Sequence, residues 1–181
     1  TPMRYKAVDS KAPTWLMLCD VDMTLATELK EYGTGGRDNE TPLSNFSGVS
    51  RRKYQLLGTS SHPETTVEEL PGKYVLVVSF EISPENEDDF NKWYEEEHME
   101  LVGQVPGWKQ GRRYKLIEFQ QIQGQFMADQ PVSKYLAIHE LDNGEFEQSA
   151  EIKCARGTEW ARRVIKNAIR REVRTFELDK V

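Results

Sequence analysis

The sequence predicts an α+β fold, with one complete β-α-β-β-α-β unit in the C-terminal two-thirds and a partial second copy ahead of it. Three observations carry this. Lys73 to Ile82 (KYVLVVSFEI) is dense in β-branched and aromatic residues and is the cleanest strand in the chain. Ser83-Pro84-Glu85 follows it as a helix start, with an N-cap serine, proline at the first helical position and acids in the first turn. Three short stretches of the first third also recur, in the same order, further along.

Taken in order, Arg4 to Val8 reads as a strand end and Thr14 to Val21 (TWLMLCDV) as a mostly apolar strand. Asp22 is placed to cap a short helix through Leu25, Leu29 and Tyr32. Gly33 to Ser50, rich in Gly, Asn, Ser and Thr, reads as a long loop, and Arg51 to Leu57 as a strand. The polar stretch 58–72, with two prolines, is the best boundary. It leaves a partial repeat over 1–57, a linker, and a complete repeat over 73–181. In that repeat the helix from Ser83 runs to about Val102, where Gly103 and Pro106 end it. Trp108 to Phe119 is a strand, Phe119 to Ser133 a Gln-rich loop, and Lys134 to Leu141 a strand. Glu145 to Ala155 and Thr158 to Ile169 read as helices, the second capped by Thr158 with Trp160, Val164 and Ala168 on one side. Glu172 to Leu178 closes the unit as a strand.

The repeat matches Arg4-Tyr5-Lys6 to Arg113-Tyr114-Lys115, Thr14 to Asp22 to Lys134 to Asp142, and Arg52 to Leu56 to Arg174 to Leu178. The first copy lacks an opening strand and the helix equivalent to Pro84–Val102.

With 181 residues the chain can bury a real core. A formal charge of -6 supplies no basic stripe, so no nucleic-acid partner is expected. No apolar run is long enough to span a bilayer, so no membrane partner is expected either. Nor does the start carry a secretory pattern. Cys19 and Cys154 lack a CxxC spacing and are expected to be free, buried thiols in a reducing, cytoplasmic setting. A chain opening on Thr1 rather than Met is expected to be a fragment or a processed product.

The chemistry-bearing groups concentrate between Lys92 and Tyr114. On a wheel of about 100° per residue, Trp93, Tyr94 and Leu101 fall on one face with Phe90. Glu97 lies near the middle of that face and His98 on its flank, while Glu95, Glu96 and Glu100 point elsewhere. A buried carboxylate needs a partner, so Glu97 either tunes a site or pairs with an arginine as a structural lock. His98, at the pocket rim, can move protons near neutral pH, or it is satisfied by a backbone carbonyl. His139 shares a strand face with Ala137 and Tyr135 and either lines a cavity or sits in the core. Arg112, Tyr114 and Leu116 form the more apolar side of their strand and are expected to face the helices. Arg113 and Lys115 would then either point into the barrel, where a guanidinium could hold a carboxylate or phenolate, or lie along a solvated strand edge. Ser79 and Glu81 extend the Val75-Val77 face and could give polar groups to a cavity. Glu95-x-x-His98 has metal-binding spacing but no second copy, so no metal is expected. The chain carries no phosphate loop, Ser-His-Asp signature or dinucleotide fingerprint.

Trp93-Tyr94-x-x-Glu97-His98, Val105-Pro106-Gly107-Trp108 and Arg112-Arg113-Tyr114 together resemble the EthD-like branch of the dimeric α/β-barrel proteins, especially its fungal members. The resemblance covers about Gly72 to Val181 well and Arg4 to Leu57 as a degenerate copy. It implies two ferredoxin-like units joining their sheets into an α/β barrel, within one chain or as a homodimer. It also implies a small-molecule pocket and cofactor-free lyase or isomerase chemistry (cyclisation, dehydration or decarboxylation) on an aromatic or polyketide-like substrate. Relatives without activity leave a ligand-binding or stress-related role as the alternative. On this reading His98 is the general acid or base and Tyr94 binds substrate. Arg113 stabilises an oxyanion and Glu97 orients the site, with Trp93, Ser79, Glu81, His139 and Trp108 lining the pocket.

Overall fold

The computed structural model describes residues 2–21, 46–124 and 132–179. Seven strands form one sheet: β1 (Met3–Ala7), β2 (Trp15–Leu18), β3 (Val49–Ser61), β4 (Tyr74–Glu81), β5 (Trp108–Gln123), β6 (Tyr135–Leu141) and β7 (Arg170–Leu178). Their order is β2-β1-β7-β4-β6-β5-β3, and every neighbouring pair is antiparallel. The sheet curls into a half-barrel.

The four central strands, β7-β4-β6-β5, with the helices between them, make the expected β-α-β-β-α-β unit. β1 and β2 extend it at the β7 edge, and β3 extends it at the β5 edge. The strands of the stretch read as a partial first copy therefore lie on both sides of that unit.

β4 is apolar on both faces because both are covered. Leu76, Val78 and Phe80 join the core beneath the helices, with Phe90, Trp93, Tyr94, Val102, Tyr135 and Ile152. Val75 and Val77 lie on the other face with Tyr5, Ile138 and Phe176. A strand buried on both sides reads as an unbroken hydrophobic run, which is how Lys73 to Ile82 looks in the sequence.

After β4, Pro84–Asn86 forms a 3-10 turn that leads into α1 (Glu87–Trp93). A π-helical turn, Tyr94–His98, follows, and then α2 (Met99–Val102). On the far side of β6 come α3 (Ala150–Gly157), whose N-cap Ser149 accepts from Ile152 N–H, and α4 (Glu159–Asn167), whose N-cap Thr158 accepts from Ala161 N–H.

Several expectations are revised. β3 runs on to Ser61, into the stretch read as linker, because Ser60 and Ser61 pair with Gly111 and Gln110. β5 continues to Gln123 through part of the expected Gln-rich loop, since β3 supplies it with partners that the local sequence does not reveal. The expected helix through Leu25, Leu29 and Tyr32 lies outside the described residues. Both cysteines are free but exposed rather than buried. No helix among the described residues is long and apolar enough to cross a membrane.

Candidate functional site

The π turn decides what the helix presents to the sheet. An extra residue per turn widens the repeat to i+5, so the side chain stacked over Trp93 is His98. Their ring centroids lie 4.1 Å apart at an interplanar angle of 27°. A regular helix would have put Glu97 in that place. Glu97 instead leaves the buried face and accepts a hydrogen bond from Thr158 Oγ1 at 2.5 Å, at the N-terminus of α4. Two readings are corrected here. His98 is buried, at 8% exposure, rather than on a rim, and Glu97 ties two helices together without an arginine.

His98 lies under α3 and beside His139. Burial above all, and then the neighbouring His139, push its pKa down to about 3, against a hydrogen bond to the Ala155 carbonyl. Its Nδ1 is buried and has no hydrogen-bond partner. His139 is lowered to about 4, by burial and then by the Arg156 cation. Trp108 Nε1 donates to His139 Nδ1 at 3.2 Å, so the neutral ring carries its proton on Nε2. Both imidazoles are therefore neutral near pH 7. Gly111 faces His139 across the β5–β6 pair, and a Cβ there would meet Met99 Cε at 2.5 Å and His139 Nδ1 at 2.9 Å. The glycine in Gly111-Arg112-Arg113 is what leaves room there for the His139 ring and the Met99 side chain.

A cavity of about 20 Å³ opens beside these rings, between sheet and helices. Leu76, Phe80 and Ile152 give it apolar walls, while His98, His139, Arg156 and Arg171 give it polar ones. Arg156 is held by a bidentate pair with Glu147, at 2.6 and 2.9 Å. Arg171 makes no ion pair among the described residues; its guanidinium stands 5.8 Å from the Phe80 ring centroid. Burial, and then the like charge of Arg156, hold the Arg171 pKa below the usual guanidinium range. The space has room for about one water, so a larger ligand must displace wall side chains. Arg156, Ile165 and Arg171 are the half-buried members of the wall and form its mouth. The two arginines were missed in the sequence. The available signal was that Arg171 alternates with Val173, which packs on the helix-side core.

Arg113 does not point into the barrel. It lies on the helix side, stacked 4.2 Å from the Tyr94 ring centroid and donating to Asn91 Oδ1 at 2.7 Å. Arg112 takes the opposite face, bonded to Asp20 and, at 3.0 Å, to Glu140. Strand alternation holds, but apolar character misidentified the helix side, because the face away from the helices is itself a core containing Tyr5, Ile138 and Phe176. Tyr94, raised to about 12 by burial, stays a phenol. Ser79 and Glu81 share the face of Val75 and Val77, across the sheet from His98, and Glu81 accepts from Lys134 N–H. The structure thus brings together His98, His139, Trp93 and Trp108 and separates them from Ser79 and Glu81. Glu95 is exposed and lies 3.8 Å from Arg113, so Glu95 and His98 do not converge. Among the described residues no group of three His, Cys, Asp or Glu side chains is placed to hold a metal.

No protein-family model matches the chain, and neither does any curated protein. Solved structures do. An anthrone oxidase-like protein superposes with a TM-score of 0.61 at 12% identity, over 99% of this chain and 76% of its own. A candidate monooxygenase from Fusobacterium nucleatum subsp. nucleatum gives 0.60 at 8% identity, over 99% and 75%. A major regulator of staphylococcal pathogenesis gives 0.54 at 10% identity, over 99% and 85%. Likeness at such identities establishes a shared barrel-type α+β fold.

Proposed function

We propose that the chain is a small-molecule enzyme whose site is the helix–sheet cavity, with His98 as the proton-transfer group. The observation that carries this is a neutral imidazole whose Nδ1 is buried without a partner beside a cavity that also holds two guanidinium groups. A buried acceptor left unsatisfied costs about 1–3 kcal/mol, and a substrate O–H or acidic C–H is the natural partner for it. With so low a pKa, His98 is a weak base. It removes a proton only where the anion left behind is stabilised, which is the role of Arg171, supported by Arg156. His139, fixed by Trp108, contributes an N–H donor. Trp93 holds the His98 ring in place.

The EthD-like motifs support the finer reading: cofactor-independent cyclisation, dehydration, decarboxylation or isomerisation of an aromatic or polyketide-like compound. The test is turnover of a panel of such compounds by wild type and by His98→Phe, which keeps the ring stack and removes both nitrogens. The variant is expected to lose about 10²–10⁴-fold in kcat with unchanged circular dichroism. An unchanged rate removes His98 from the mechanism.

The names of two fold neighbours, anthrone oxidase-like and candidate monooxygenase, favour a second reading: oxidation of a small aromatic at the same cavity. Dioxygen uptake with an anthrone as probe separates the two, since the lyase or isomerase reactions consume none. Recovery of every bound compound unchanged points instead to a carrier.

A further inference from the structure

Trp93 and His98 each leave one ring nitrogen unsatisfied inside the protein. Trp93 is 1% exposed and its Nε1 has no hydrogen-bond partner; His98 is 8% exposed and its Nδ1 has none either. Both rings line the helix–sheet cavity, and they stack on one another. The two atoms differ in kind. An indole nitrogen can only donate. A neutral imidazole has one donor and one acceptor, and His98 spends its donor on the Ala155 carbonyl, so Nδ1 keeps the lone pair. Together they require a partner that accepts from Trp93 and donates to His98. A carboxylate does only the first and an ammonium only the second, whereas a hydroxyl does both with one oxygen.

Water meets that requirement as well, but it does not meet the second one, which is charge. Four ionisable side chains line the cavity: His98, His139, Arg156 and Arg171. Both imidazoles are neutral near pH 7. The charge of Arg156 is offset by Glu147, which it holds through two nitrogens. Arg171 has no carboxylate within ion-pair reach among the described residues, and its guanidinium lies against the Phe80 ring. The wall therefore carries one positive charge in excess. A guanidinium in such surroundings gains most from an ionised oxygen, which it grips through paired N–H groups. Binding an anion here breaks no existing pair, since Glu147 stays with Arg156. Arg171 is half-buried, so its side chain can follow the ligand as the wall yields.

We propose that the cavity binds a hydroxylated monoanion of the hydroxy-carboxylate class, with Arg171 as the anion subsite and Trp93 Nε1–H with His98 Nδ1 reading the hydroxyl. This rests on the cavity being the site proposed above, and it narrows what enters: neutral compounds and acids without a hydroxyl are disfavoured. Trp93 is then a specificity-determining residue as well as the support of the His98 ring.

Three probes of one shape separate charge from hydroxyl. They are 3-hydroxypropanoate, propanoate, which lacks the hydroxyl, and 3-hydroxypropanamide, which lacks the charge. Affinities are measured at pH 7 by calorimetric titration of the whole chain, with the indole N–H resonances followed by NMR. Wild type is expected to bind 3-hydroxypropanoate about tenfold tighter than either analogue, with a shift in one indole signal. Arg171→Gln is expected to weaken both acids about tenfold and to leave the amide unchanged. Trp93→Phe keeps a ring against His98 and is expected to erase the preference for the hydroxyl while propanoate binds as before. Should that variant fail to fold, the three probes on wild type and on Arg171→Gln still decide. Equal affinity for acid and amide, equal affinity for the two acids, or binding of none of the three overturns the proposal. So does an Arg171→Gln chain that binds the acids as wild type does. Turnover of neutral compounds that is lost in His98→Phe, with no affinity for the hydroxy acid, leaves the enzyme reading standing and sinks this one. Selective binding of the hydroxy acid without turnover of any compound does the reverse.

Discussion

Inside the fold, His98 and His139 are bases that cannot readily take up a proton. Their pKa values, about 3 and about 4, lie below that of a free histidine near 6.5, so the unfolded chain binds more protons at any pH under that value. Their contribution to stability is fully present above about pH 6.5. It is lost as pH falls towards 4 and then 3, by up to roughly 1.4 kcal/mol per pH unit for each ring. Urea unfolding at pH 7, 5.5 and 4.5 should show this slope, and His98→Phe should remove about half of it. An unaltered slope in the variant would mean that His98 ionises in the folded chain. Gly111→Ala tests the same site from the strand side. Its methyl has no room beside Met99 and His139, and overpacking of this kind costs about 1–3 kcal/mol in thermal or denaturant melts. At this scale the sequence located the important stretch and misjudged its geometry. Trp93, Tyr94 and His98 are legible as a cluster because they are chemically distinctive. The exchange of Glu97 for His98 on the inner face is not legible, since nothing in Tyr94-Glu95-Glu96-Glu97-His98 announces a π turn and the stacking that favours it depends on the sheet below.

Between elements, Thr158 does two jobs. Its hydroxyl caps α4 by accepting from Ala161 N–H at 3.0 Å, and it donates to Glu97 on the π turn. Thr158→Ala should cost about 1–3 kcal/mol in chemical denaturation, the sum of a lost cap and a lost hydrogen bond to a charged group. Thr158→Ser should remain near wild type. An alanine variant of wild-type stability would show that neither bond contributes. Strand and cap positions were largely readable: Thr158 as N-cap, Lys73 to Ile82 as a central strand and the split order of the unit all follow from local pattern. What local pattern does not contain is partner supply. β3 and β5 each extend beyond their predicted ends because each lends the other a ladder, and Arg113 takes the helix side because Tyr94 and Asn91 receive it there.

For the molecule as a whole, the sequence boundary near residue 58 is not expected to behave as a folding boundary. β1 pairs with β7, β3 pairs with β5, and β1 and β3 never touch through a ladder of their own. Arg174 on β7 binds Asp9 and the carbonyls of Lys11, Ala12 and Pro13, fastening the β1–β2 connection to the last strand. A peptide of residues 1–57 should therefore show no sheet signal by circular dichroism, while the whole chain melts in one transition. A folded 1–57 fragment would contradict this. The repeat itself was visible in three short matches. The placement of the matching strands at two edges was not, because short sequence matches carry no information about which edge each element occupies.

The pairing of β1 with β7 has a consequence for the ribosome. Tyr5, fully buried in the finished protein, is made about 165 residues before β7, the strand that pairs with its own. At synthesis rates of about 5–20 residues per second, the first strand waits roughly 10–30 s for its neighbour. During that interval its apolar side chains are open to whatever else is near the tunnel exit.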